Sequence, residues 1–171
     1  MAARPLSLKA RALQWLAQRE HSRVELCRKL LRVLRQRPPA QDDGAGEVDS
    51  VADPAAEVDA LLDWLVAQHY LSDSRFIESR INARAARYGD LRIRQELGRH
   101  GAALDAATSQ RLKDSELARA RSVWARKYGG VSATAANERA RQMRFLAGRG
   151  FSSDVIRRVV RGSEPESGDD T

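Results

Sequence analysis

Residues Leu65–Leu97 read LVAQHYLSDSRFIESRINARAARYGDLRIRQEL. The run is the end of one helix, a tight corner at Tyr70–Asp73, a second helix, a stop at Tyr88-Gly89 and a third helix. Its pattern returns twice. Counting from Leu65, the residues His69, Tyr70, Ser72 and Asp73 lie four, five, seven and eight positions on. Gly101, Ala102, Leu104 and Asp105 stand at the same steps from Leu97, as do Gly150, Phe151, Ser153 and Asp154 from Leu146. The stop also recurs, as Ala86-Arg87-Tyr88-Gly89 and Arg126-Lys127-Tyr128-Gly129. One spacing used three times predicts a tandem array of small helical modules, since a repeated unit buries its apolar face against its neighbours.

At 171 residues the chain accommodates one ordinary domain or several modules of about 50 residues, which are marginal alone and need neighbours to pack on. Apolar residues make up 42% and aromatic ones 5%, so small cores of Leu, Val, Ile and Ala are expected. The charge is unevenly placed. Residues 4–37 carry a net +8 and residues 74–161 a net +12, whereas 38–73 carry −9 and 162–171 carry −4. A basic body interrupted by an acidic segment suggests a polyanion or an acidic protein surface as partner. The compositional alternative is that 26 Arg against 4 Lys reflects coding bias and that the helix faces are simply Arg-rich and solvated. Cys27 has no second cysteine to pair with and reads as a small buried side chain. The N-terminus lacks an apolar signal core and no run approaches the roughly 18 apolar residues of a membrane span. A soluble, cytoplasmic protein is expected, with no membrane contact.

Along the chain, Leu8–Arg19 has apolar residues at helical spacing, and Ser22 followed by Glu25 is a capping box opening a second helix to about Arg37, where Pro38-Pro39 ends it. Residues 38–53 (PPAQDDGAGEVDSVAD) have no periodicity and are expected to be a disordered acidic linker. Asp53-Pro54 opens a helix with Val58, Leu61, Leu62, Leu65, Val66 and His69 along one stripe. Ser72 or Asp73 caps the next, with Ile77, Ile81, Ala85 and Tyr88 inward, and Asp90 caps a shorter one ending at Gly101. A weak helix is expected over Asp105–Leu112, then a separate one over Asp114–Tyr128. Two more follow, from Ser132 or Thr134 to Leu146 with Ala136, Ala140 and Met143 inward, and from Ser152 or Ser153 onward. The total is nine helices in three groups of three.

No strand pattern exists for a Gly-rich phosphate loop to follow, and no nucleotide-binding fingerprint is present. His21, His69 and His100 are far apart and no Cys or His pair has metal-ligand spacing. No catalytic residue, metal or cofactor is expected. What remains is basic rows: Arg28, Arg32 and Arg35 on the second helix, Arg80, Arg84 and Arg87 at the same spacing on the fourth, then Arg92 and Arg99, with Arg139, Arg144 and Arg149 later. Guanidinium rows can grip phosphates or carboxylates through paired hydrogen bonds; equally, an Arg beside an apolar stripe covers it with its methylene stem. Helix-corner-helix units also fit a helix-turn-helix DNA binder or a helical adaptor.

The runs REHSRVEL (Arg19–Leu26), YLSDSRFIESRINARAARYGDLRIRQEL (Tyr70–Leu97) and RQMRFLAGRGFSSDVIRRVV (Arg141–Val160) resemble the signature regions of RecX, the bacterial regulators of the RecA recombinase. The middle run is the most specific, with Tyr-Leu-x-Asp-x-Arg-Phe, then Tyr-Gly, then Arg-x-Glu-Leu. The resemblance implies an all-α protein of three tandem three-helix repeats forming an elongated, curved array: residues 1–71 with the linker 38–53, residues 72–112, residues 113–161, and a disordered acidic tail over 162–171. It implies a negative regulator that lodges in the groove of the RecA filament on single-stranded DNA, blocks its extension or promotes its disassembly, and so depresses ATP hydrolysis, strand exchange and SOS coprotease activity. DNA contact would be weak, direct or through the filament, and the protein a monomer. On this reading Arg28, Arg32, Arg35, Arg80, Arg84, Arg87, Arg92 and Arg99 carry the contact with RecA and DNA. The connection at 38–53 is longer than the family's, and the weak helix over Asp105–Leu112 is expected to mark a hinge.

Overall fold

A computed structural model of the chain describes residues 6–36 and 53–161. The expected linker before Asp53 and the expected tail lie outside the described residues. Eight α-helices and no strand occur among the described residues, arranged in two compact units, residues 1–76 and 77–171.

Unit 1 is built on α1 (Leu8–Gln18), α2 (Arg23–Arg35) and α3 (Pro54–Ala67). Each begins where a side-chain oxygen takes a free amide. Ser7 Oγ accepts from the Ala10 amide at 3.2 Å, Ser22 Oγ from Glu25 at 3.1 Å, and Asp53 Oδ1 from Ala55 at 3.0 Å, with Pro54 in the first turn. Such caps satisfy amides that the helix itself leaves without partners. Ala12, Leu26, Leu30, Val58, Leu62, Leu65 and Leu71 form the core, each at most 2% exposed. On α2 the buried centre is therefore Leu26 and Leu30, with Cys27, Leu31 and Leu34 packed at its margin. Val66 stands exposed, at odds with its expected place on the α3 stripe.

Unit 2 holds most of α4 (Asp73–Ala85), then α5 (Asp90–Arg99), α6 (Ala106–Tyr128), α7 (Ala136–Gly148) and α8 (Ser153–Val160). Its main core joins Val123 and Trp124 of α6, Leu146 of α7, Phe151, and Val155, Ile156 and Val159 of α8. The expected break at Asp114 is absent: α6 is one helix of 23 residues. Thr108, Leu112, Glu116, Ala120 and Val123 continue one buried face through that point, and burial on both sides outweighs the polar Lys113-Asp114 pair. The described helices thus number eight where nine were expected, and the hinge expected over Asp105–Leu112 lies inside a continuous helix.

The three repeated corners share one backbone. The amide of Tyr70 reaches the Leu65 carbonyl at 2.9 Å, Ala102 reaches Leu97 at 3.1 Å and Phe151 reaches Leu146 at 3.3 Å. Inside each, His69 bonds Val66, Gly101 bonds Gly98 and Gly150 bonds Ala147. His69, Gly101 and Gly150 are left-handed, with φ of 60°, 68° and 80°. This is the Schellman cap, in which a left-handed residue turns two amides back onto the last carbonyls. The repeated Leu is the buried residue that anchors each cap, and His69, far from lying on the α3 stripe, is the exposed turn residue.

Candidate functional site

The family-like signature of the middle run is mostly internal structure. Asp73 accepts from the Arg23 amide at 2.9 Å, while Arg75 donates to the His69 and Tyr70 carbonyls at 3.0 Å and pairs with Glu20 at 2.9 Å. Arg75 thereby clamps the first corner from outside, and Phe76 beside it is buried. In unit 2, Gly89 is the N-cap of α5 and Asp90 its first residue, so Asp90 does not cap as expected. Its carboxylate, 6% exposed, instead pairs with Arg119. Burial pushes the Asp90 carboxyl up from its usual range, with the Glu116 charge acting in the same direction and Arg119 opposing both.

Glu116 is the centre of this network. One oxygen accepts from the Asp90 amide and the Ser152 amide, both at 3.1 Å, and the other accepts from the Ser152 hydroxyl at 2.8 Å. A single buried carboxylate therefore caps the starts of both α5 and α8, where amides and helix dipoles favour negative charge. Beside it the backbones touch: the Gly89 amide donates to Arg149 O at 2.9 Å and Leu91 to Gly150 O at 3.1 Å. Only glycine at position 89 permits this approach, because a Cβ there would overlap Gly150 O and Phe151 N. α7 starts at Ala136, later than the expected Ser132 or Thr134, with Ala135 as an N-cap that makes no side-chain bond, and buries Gln142 and Leu146 while Ala136 and Met143 face out. Gln142 earns its burial by accepting from Trp124 Nε1 at 3.0 Å.

The eight predicted arginines separate into distinct settings. Arg28, Arg32 and Arg35 lie exposed on α2 of unit 1. Arg80 and Arg84 converge on one carboxylate, Glu96, at 3.4 and 3.0 Å, so that part of the α4 row is partly neutralised within the fold. Arg99 is exposed at the end of α5. Arg87 and Arg92, by contrast, line a cleft of about 570 Å³ together with Arg126, Lys127 and Arg149. Tyr88 and Phe145 supply its aromatic walls, and no acidic side chain lines it among the described residues.

This cleft forms where α4 ends. Three guanidinium groups hold carbonyls of the turn that follows the helix: Arg119 donates to Tyr88 O at 2.6 Å, Arg126 to Ala86 O at 2.6 Å and Arg149 to Arg87 O at 3.3 Å. Cations are favoured at a helix C-terminus, and the neutral carbonyls fix Arg126 and Arg149 without cancelling their charge, whereas Arg119 is also paired with Asp90. The heads also rest on rings. Arg92 lies 4.7 Å from the Tyr88 centroid, Arg149 5.1 Å and Lys127 5.2 Å from that of Phe145. Arg126 and Lys127 were missed as site residues, although the repeated stops Ala86–Gly89 and Arg126–Gly129 were visible and meet at this cleft.

Caps, cores and a cationic cleft of this kind define an all-helical protein with a basic recess on its surface. Residues 114–160 match the family profile described as RecX, third three-helix domain. The regulatory protein RecX of Ralstonia nicotianae is 46% identical over 162 residues, spanning 94% of this chain and 90% of that protein. The regulatory protein RecX of Herminiimonas arsenicoxydans is 45% identical over 166 residues, spanning 96% and 97%. The crystal structure of RecX from Lactobacillus salivarius superposes with a TM-score of 0.62 at 18% identity, covering 90% of this chain and 92% of that one, a likeness of fold. The chain belongs to the RecX family of regulatory proteins. Among the described residues no helix is long and apolar enough to cross a membrane.

Proposed function

We propose that the protein is a negative regulator of RecA that acts in the cytoplasm as a monomer, seated in the groove of the RecA filament on single-stranded DNA. The observation that carries this is the identity of 46% along nearly the whole length of a protein named regulatory protein RecX. From that seat it blocks filament extension or promotes disassembly, and ATP hydrolysis, strand exchange and SOS coprotease activity fall together. The modules over 1–71, 72–112 and 113–161 each bring basic side chains to a repetitive, anionic filament, where several weak contacts sum to a strong one. Arg28, Arg32 and Arg35 supply one row, and Arg80, Arg84, Arg87, Arg92 and Arg99 a second. The cleft supports this reading, because its cations are held ready by carbonyls and rings. Titration into RecA ATPase on single-stranded DNA tests it. Turnover should fall at substoichiometric protein, and full turnover at a molar excess would rule the function out.

A further inference from the structure

The cleft of unit 2 has a chemistry that the rows of arginines on α2 and α4 lack. Its cations stand around aromatic walls, and the volume of about 570 Å³ exceeds the need of a single small anion. A carboxylate-rich peptide would use the cations and leave Tyr88 and Phe145 idle. A single-stranded nucleic acid uses both, since its phosphates need cations and its unpaired bases need flat faces on which to stack. The Arg92 and Arg149 guanidinium groups stand over Tyr88 and Phe145 and add planar groups on which a base can stack, and Lys127 over Phe145 is a flexible ammonium that a base can displace. A duplex, with its bases stacked inside, would offer this cleft only phosphates.

Among the described residues no acidic side chain lines the cleft, and three acids of unit 2 are paired with other arginines. Asp90 is engaged by Arg119, Glu96 by Arg80 and Arg84, and Asp154 by Arg157. From this juxtaposition of pre-placed cations and aromatic walls, we propose that the cleft lined by Arg87, Arg92, Arg126, Lys127, Arg149 and Phe145 is a direct binding site for the sugar-phosphate backbone and an unstacked base of single-stranded DNA. The exposed α2 row is left to the protein surface of the filament. This division rests on the filament reading above, but DNA binding by the cleft is measured without RecA.

The experiment is fluorescence anisotropy of a labelled thymidine homopolymer with the full chain. Arg87→Gln with Lys127→Gln spares Arg119, Arg126 and Arg149, which hold α4. Each charge that contacts phosphate steepens the salt dependence by about 0.7 for single strands. The double variant should therefore bind about 25-fold more weakly near 0.1 M salt, with the slope reduced by about 1.4. Phe145→Leu keeps an apolar side chain in place and should cost about fivefold through lost stacking, with circular dichroism and melting checking the fold. Arg28→Gln with Arg32→Gln and Arg35→Gln should weaken DNA binding less than the cleft variant does, although it removes one more positive charge. Loss of DNA binding in the α2 variant with retention in the cleft variant would overturn the assignment. So would equal competition by blunt duplex or by polyglutamate of matched charge, or no binding by the wild type at low salt. Failure of the ATPase titration with the anisotropy results intact would remove the RecA reading and leave the cleft assignment standing.

Discussion

Gly89 and Gly98 frame α5 and predict opposite outcomes from the same substitution. At Gly89 a methyl group would meet Gly150 O and Phe151 N, backbone atoms that cannot rotate away. Gly89→Ala should lower unfolding stability in urea by about 3 kcal/mol, the upper range for overpacking. Gly98 lies in the helix with nothing within 4 Å of a Cβ, and Gly98→Ala should raise stability by about 0.5–1 kcal/mol, since alanine loses less backbone freedom on folding. His21 makes a third test at this scale. It is 1% exposed, its Nδ1 lies 2.9 Å from the Arg19 carbonyl and its Nε2 lies 3.0 Å from Lys29 Nζ. A carbonyl neighbour requires a proton on Nδ1, so Nε2 is the acceptor for Lys29 and the ring is neutral. Burial lowers its pKa, the Arg19 and Lys29 charges add to that, and the Arg19 carbonyl and Glu25 oppose it. The unfolded chain therefore takes up the proton first, near pH 6.5, and stability falls as the pH drops below that value. Between pH 7.5 and 5.5 the wild type should lose up to about 1.4 kcal/mol, and His21→Gln should flatten the difference. A curve equally steep in His21→Gln would assign the loss elsewhere.

At the scale of the element, the corners show how one backbone tolerates different residues. Two of the three left-handed positions are glycine and the first is His69, an exposed residue whose Cβ crowds the following carbonyl. His69→Gly should raise the melting midpoint, equivalent to about 1 kcal/mol. No gain would mean that the side chain offsets its strain by contacts. Glu116 is the opposite case, one residue on which two elements depend. Glu116→Ala leaves the Asp90 and Ser152 amides buried without their acceptor and should cost about 3 kcal/mol in urea, with Glu116→Gln recovering part through its amide oxygen. The corners were legible because their signal is local: a buried Leu, then a turn residue at the fourth step, is set by hydrogen bonds within six residues. The length of α6 was not legible, since Lys113-Asp114 resembles a helix boundary until tertiary burial of Leu112 and Glu116 on one face overrides it. The partnership of Asp90 with Arg119 was hidden for the same reason, being separated by 29 residues. The cleft was half legible. Arg87 and Arg92 stood out by spacing, whereas Arg126 and Lys127 were noticed as part of a stop and only the fold turns that stop into a wall.

For the whole molecule, net charge is a poor guide to the charge that is available for binding. Residues 74–161 carry a net +12, yet Arg80, Arg84, Arg119 and Arg157 are committed to carboxylates within the chain. The cleft keeps its charge because no acid lines it among the described residues and Arg92, Arg126 and Arg149 are held by carbonyls. Exposed arginines also stand on α2 in the other unit, so the proposed filament contact and the proposed DNA contact are carried by separate parts of one chain. Joining two weak contacts makes the second effectively intramolecular, at a local concentration on the order of millimolar for short flexible connections. On the proposed function, altering either part should raise the concentration needed for half-inhibition of RecA ATPase by a moderate factor, while altering both should remove inhibition. The comparison is Arg87→Gln with Lys127→Gln, the three α2 substitutions, and all five together, in one titration series on single-stranded DNA. Expected shifts are about tenfold for either set alone and about a hundredfold for the combination, because independent contacts add in free energy. If the combined variant is no weaker than one of its parents, the two contacts are not separate, and inhibition then depends on one of these surfaces alone.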